Sequence, residues 1–255
     1  MITNPLLYRF LGLKRISELF SALNRESKRP KRGSLSSFPV ILAILVSLLP
    51  FYSSFLTLYA KRLDITTVFV GIATCLAIVL RNRIGITLKK TTRWKVPFSL
   101  THTAFAIGAI PTVIMLIIAP HSFSHISTNQ NIQPVFEVER IPIISVALFI
   151  LGVSVWAGVT EEIIYRNMLI SIIRRWKAIK RPITRNVLAV FVSSAIFALT
   201  HLPTWGISLS VAHFGLGVGF GLAYIATGEL ILPIIFYHIA FDILSLTFSY
   251  LSYRF

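Results

Sequence analysis

The chain has 255 residues, of which 55% are hydrophobic and 13% charged. Soluble domains carry about a quarter charged residues, so composition alone points to an integral membrane protein and excludes intrinsic disorder. The one cysteine, Cys75, lies in an apolar run and excludes a disulfide scaffold. The net charge of +16 is clustered between apolar runs, which is the pattern of basic cytoplasmic loops rather than of a nucleic-acid footprint. No nucleic-acid partner is expected.

Residues 1–37 form a basic N-terminal segment holding Arg9, Lys14, Arg15, Arg25, Lys28, Arg29, Lys31 and Arg32. No apolar core of signal-peptide type precedes these residues, so no cleaved signal is expected. Leu6, Leu7, Phe10, Leu13, Ile16, Phe20 and Leu23 recur at helical spacing. Two readings stand: an amphipathic helix on an anionic membrane surface, or a basic tail without fixed structure.

Apolar runs follow, each measured against the ~20 residues that cross a bilayer. Phe38 to Ala60, Ile65 to Leu80, Val96 to Ala119 (with a kink expected at Pro111), Ile141 to about Ile173, Asn186 to Leu202, Ile207 to Thr227 and Leu230 to Leu251 make about seven spans. The fold class is all-α: a polytopic transmembrane helical bundle. Its parts are the basic segment 1–37, N-terminal transmembrane helices 38–140, and a core 141–255 with the active site in the last four spans. No internal repeat suggests a transporter of inverted halves. The basic segments 81–95 and 174–185 read as cytoplasmic, like the N-terminus, and loop 120–140 as external. Lys61 and Arg62 fall outside in this arrangement.

Charged residues in apolar spans are expensive and mark functional sites. Three of the nine acidic residues, Glu161, Glu162 and Asp242, sit in or at the edge of apolar runs. Glu162 and Arg166 are i and i+4 and can pair. Glu161 has Tyr165 at i+4, so it is free to face a cavity as a general base; alternatively the two carboxylates end a span at the surface. His201 closes the stretch Phe197-Ala198-Leu199-Thr200-His201, and a lone helical histidine is either a packing residue or a catalytic one. His238 and Asp242, at i and i+4, share a helix face, where Asp242 orients the imidazole or both point at a reacting oxygen. Glu229 is placed at a turn after Gly228. His213 has no acidic partner at helical spacing and reads as packing.

From Glu161 to Arg175 is 14 residues, and from Arg185 back to His201 is 16. At ~1.5 Å per residue both lie about 20–25 Å from the basic loop, so antiparallel neighbours hold them level. His238, about 15 Å beyond Gly228 by the same rise, joins that level if the loop stands two turns proud of the membrane, in the cytoplasmic half. The pairs Gly215/Gly219 and Gly217/Gly221 read as close helix packing. His121 and His125 have metal-like spacing but no third ligand nearby.

The motifs Glu161-Glu162 with Arg166, Phe197 with His201, and His238 with Asp242, in order on apolar spans, resemble the CPBP family of intramembrane proteases. This family includes the type 2 CAAX prenyl proteases and the bacteriocin-processing, Abi-like proteins. The likeness covers roughly residues 141–250. It implies an intramembrane endopeptidase in which Glu161 and His201 activate water and His238 with Asp242 stabilises the oxyanion. Glu162 and Arg166 are then support residues. Asp242 stands where the prenyl proteases carry Asn, so it must be protonated or act by orienting His238. The expected partners are a membrane-associated polypeptide substrate and the lipid bilayer, in a bacterial inner membrane with the N-terminus cytoplasmic.

The motif HExxH of zinc proteases is absent, so a metal-free glutamate mechanism without cofactor is expected. The alternative is a zinc site of Glu161, His201 and His238. Other functional classes remain: a catalytically silent bacteriocin self-immunity or scaffold protein, and a small proton-coupled carrier using Glu161 and Asp242.

Overall fold

The computed structural model describes residues 13–24, 36–60, 63–83, a few positions between 104 and 114 (104, 106–108, 110 and 114), and 143–254. The span Val96 to Ala119 is described only at those few positions. The loop 120–140 with His121 and His125, Lys61 and Arg62, and most of the basic segments 1–37 and 81–95 lie outside the described residues.

Every regular element among the described residues is a helix, as expected where backbone N–H and C=O groups have no water to bond. These are α1 (Leu13–Asn24), α2 (Ser37–Ala60), α3 (Leu63–Arg83), α4 (Ile143–Ile173), α5 (Pro182–Ala226) and α6 (Ile231–Arg254). Among the described residues α4, α5 and the stretch Ile231–Phe248 of α6 are long and apolar enough to cross a membrane. Phe38, Ile143, Ile207, Leu244 and Phe248 are each more than 70% exposed. Apolar exposure on that scale suits lipid and not water. The chain is an integral membrane protein.

α5 is not one rod. Gly206 has φ 72° and ψ −179°, a conformation open essentially to glycine alone, and it follows Pro203, which has no N–H to give the helix. The two arms fold back on each other. A Cβ added at Gly217 would lie 3.0 Å from the Cα of Ser194, and one added at Gly221 would lie 3.1 Å from Val190 Cγ1. Both pairings are centred between Trp205 and Gly206, as an antiparallel hairpin requires. The runs Asn186 to Leu202 and Ile207 to Thr227 are therefore separate arms, and the paired glycines serve close packing.

α4 carries the long fourth run. Its stretch Glu162–Ile170 is π-helical, with i→i+5 hydrogen bonds. Side chains of the first part are largely lipid-facing, while Ile164, Tyr165, Arg166, Asn167, Met168, Leu169 and Ile170 are at most 1% exposed. The run is thus overlong because its second part enters the protein core.

The α5–α6 turn closes on Gly228 (φ 74°). The Glu229 N–H donates to the Tyr224 carbonyl at 2.8 Å and the Gly228 N–H to that of Ile225 at 3.0 Å, the pair of bonds of a Schellman cap. Glu229 itself has φ 70°, a conformation that costs a non-glycine residue about 1 kcal/mol or more. Its carboxylate pairs with buried Arg174 at 2.6 Å. α1 does not present its apolar face to lipid alone: Leu19, Ala22 and Leu23 are buried in the common core. Asn186 of α5 donates to the Leu23 carbonyl at 2.5 Å.

Candidate active site

The site is built where α4 changes from α to π, beside the turn of the α5 hairpin and the first turns of α6. Glu162 is fully buried and pairs with Arg166 at 3.0 Å. The same Glu162 oxygen accepts a hydrogen bond from His238 Nδ1 at 2.8 Å. Arg174, just past the end of α4, lies twelve residues beyond Glu162, but only nine separate His238 from Glu229, and the two ends are paired. The π stretch, wider and shorter per residue than an α-helix, helps α4 match that shorter climb.

With Nδ1–H committed to Glu162, His238 turns Nε2 toward Glu161 Oε2 and Asp242 Oδ2, each 3.6 Å away. Those gaps exceed a direct hydrogen bond and suit a bridging oxygen. The partner that orients His238 through Nδ1 is therefore Glu162, across two helices. Asp242 approaches the other nitrogen.

His201 donates Nδ1–H to the Phe197 carbonyl at 2.8 Å. A carbonyl only accepts, so in the neutral ring Nε2 holds the lone pair. Phe197 is the hub of the site. Its ring lies 5.4 Å from that of Tyr165, 4.6 Å from His201 and 6.2 Å from His238. The Arg166 guanidinium packs 4.6 Å from the Phe197 ring centre and 5.3 Å from that of Phe220. Those two aromatic faces partly replace the water that the cation has lost. Phe220 also stacks on His238, 5.0 Å between centres.

Glu161, His201, His238 and Asp242 line one cavity of about 330 Å³, with Phe197, Phe220, Leu216 and Phe241 among its apolar walls. The four residues singled out by the sequence are thus brought together, and Glu162 and Arg166 stand behind them. His213 lies in the same cavity, stacked on His201 with 4.0 Å between centres and 18° between planes. Its Nδ1–H donates to the Leu209 carbonyl at 2.7 Å. Sequence reading placed His213 as packing because its neighbour comes from the other arm of the hairpin, which helical spacing cannot show. Phe220, and Trp205, which lines the same cavity and stacks on His213 with 6.3 Å between ring centres, were missed for the same reason; a bulky aromatic among the glycines 215–221 was the available signal for Phe220.

Among the described residues no three His, Cys, Asp or Glu side chains are grouped as a metal ion would need. Glu161, His201 and His238 share the cavity but do not have the convergence of a zinc site, so no step is derived through a metal.

Residues 143–244 match the family model of type II CAAX prenyl endopeptidase, Rce1-like. The chain is 29% identical over 155 residues to the membrane-embedded CAAX protease MroQ of Staphylococcus aureus (strain USA300), a match covering 60% of this chain and 58% of that protein. No solved structure matches. The family-model match spans all three motifs, and both matches are to CAAX-protease sequences.

Proposed function

We propose, from the match of residues 143–244 to the type II CAAX prenyl endopeptidase model, that the chain hydrolyses a peptide bond of a membrane-associated polypeptide. The observation that carries this reading is the convergence of Glu161, His201, His238 and Asp242 on one cavity lined mostly by apolar side chains. Glu161 takes a proton from water, whose other O–H donates to His201 Nε2. The water oxygen adds to the carbonyl carbon, and the carbonyl electron pair moves onto oxygen.

His238 stabilises that oxyanion. Because Nδ1–H is held by Glu162 at 2.8 Å, donation through Nε2 requires the imidazolium, for which Glu162 is the counter-ion. Asp242 then steadies the Nε2–H between turnovers. The intermediate collapses, the C–N bond breaks, and the leaving nitrogen takes the proton from Glu161. No metal takes part. The protein sits in a bacterial inner membrane with its N-terminus and the basic loop 174–185 cytoplasmic.

The test compares the membrane proteomes of cells making the wild type, Glu161→Gln or His201→Ala at matched levels. New peptide termini should appear with the wild type only and should persist when a strong zinc chelator is added to isolated membranes. Identical termini from all three folded proteins would end the protease reading and favour a binding role such as self-immunity.

A further inference from the structure

Glu161 and His201 line a second cavity as well. It holds about 170 Å³ and is lined by residues of α4, the first arm and turn of α5, and the helices α2 and α3. Pro50 of α2 and Val70 of α3 form its outer wall, and Tyr165, Thr200 and Thr204 give it hydroxyl groups. His238 and Asp242 line only the larger cavity. The carboxylate and imidazole that would activate water, with Trp205, therefore belong to both cavities. One is a roomy apolar chamber with the oxyanion residues, the other a small chamber with hydroxyls.

The two chambers suit different occupants. A buried water needs two to four polar partners and about 30 Å³ of liquid volume. The smaller chamber, with about 170 Å³ and the polar groups of Glu161, Tyr165, Thr200, His201 and Thr204, has room and partners for a small group of waters. Tyr165 Oη lies 3.4 Å from Thr200 Oγ1, and Thr200 donates to the Phe197 carbonyl at 2.7 Å. That leaves oxygen lone pairs facing a space shared with Glu161 and His201. The larger chamber has the size and apolar walls of a ligand pocket and suits an extended apolar stretch of polypeptide.

We propose that water and peptide reach the catalytic pair from different chambers. The small chamber stores and aligns the hydrolytic water, with Thr200, Thr204 and Tyr165 as positioning residues and Val70 as its outer wall. This rests on the protease reading and deepens it. It also gives α2 and α3, which lie outside the family-matched segment, a part in the reaction.

Two measurements on the full chain in detergent micelles test it. Radiolytic hydroxyl footprinting reports water beside a side chain whether or not the protein cleaves anything. Tyr165, 1% exposed, should be labelled in the wild type and protected severalfold in Val70→Phe, which narrows the chamber. The second measurement is turnover of a pool of internally quenched apolar peptides. Val70→Phe and Thr204→Val should lower kcat by about tenfold or more with KM within about twofold, since only the nucleophile is misplaced. Thr204→Ser, which keeps the hydroxyl, should restore kcat.

An unlabelled Tyr165 in the wild type would overturn the proposal. So would an unchanged kcat in both variants, or a raised KM with unchanged kcat, which would make the chamber part of the peptide site. A labelled Tyr165 in a wild type that cleaves nothing would sink the protease reading and this role with it, while showing that the chamber is wet.

Discussion

Glu162 accepts from His238 at 2.8 Å and pairs with Arg166 at 3.0 Å while wholly buried. Arg166 is also wholly buried, and its guanidinium packs on the rings of Phe197 and Phe220. Removing one partner of a buried pair leaves an uncompensated charge, which costs about 3–5 kcal/mol. Glu162→Gln should therefore lower the melting temperature in detergent well beyond any effect of Glu161→Gln, whose side chain is 22% exposed. Adding Arg166→Met removes the stranded cation and should recover part of that stability, but not hydrolysis. A double variant no more stable than Glu162→Gln would show that the pair is not the main brace.

The Glu162–Arg166 pairing was legible in the i, i+4 spacing. The bond from Glu162 to His238 was not, because 76 residues separate them and only the packing of α4 on α6 brings them together.

At the scale of the element, α4 owes its register to the π stretch Glu162–Ile170. Deleting Ile163, which is only partly buried, offers that stretch a return to α geometry. It would turn Glu161 and Glu162 by about 100° against Arg166 and the residues that follow. Hydrolysis should be lost while the protein still inserts and α5 keeps its hairpin. Ile163→Ala, with the same chain length, should retain cleavage. An active deletion variant would mean that the π turn does not set the position of the carboxylates.

Apolar length located the fourth span, and its excess over a bilayer's thickness was visible. The cause was not, since a one-residue widening of the helix leaves no mark in hydropathy. The two arms of α5 were legible as separate apolar runs, Asn186 to Leu202 and Ile207 to Thr227, a local signal that needs no partner; Pro203 and Gly206 lie in the gap between them.

Across the whole molecule, a line of buried polar contacts ties the N-terminal helices to the core. Arg81 of α3 donates to Asn167 Oδ1 at 2.6 Å, and Asn167 donates to Tyr224 Oη at 3.3 Å. Arg174 donates to Asn186 Oδ1 at 2.7 Å, and Asn186 donates to the Leu23 carbonyl. Each is a bond that a buried group forfeits at a cost of about 1–3 kcal/mol when its partner is removed. Asn186→Leu should lower the stability by an amount in that range, read as a lower melting temperature, and speed tryptic cleavage within α1. Unchanged cleavage would mean that the apolar face formed by Leu19, Ala22 and Leu23 holds α1 without help. The helical period of residues 6–23 was open to reading, but whether lipid or protein covers that face depends on a surface assembled from α5, far along the chain.

By itself the sequence determined that the chain enters a membrane, where most of its described helices run, and which charged residues an apolar span would not carry without use. Those properties follow from local composition and spacing, because hydropathy, helical period and the effects of proline and glycine act over a few residues. The tertiary structure alone decided which nitrogen of His238 faces the cavity, that His213 stacks on His201, and that Glu161 and His201 line two chambers. These are distances between residues remote in the chain, set by helices packing side by side, and no local pattern encodes them.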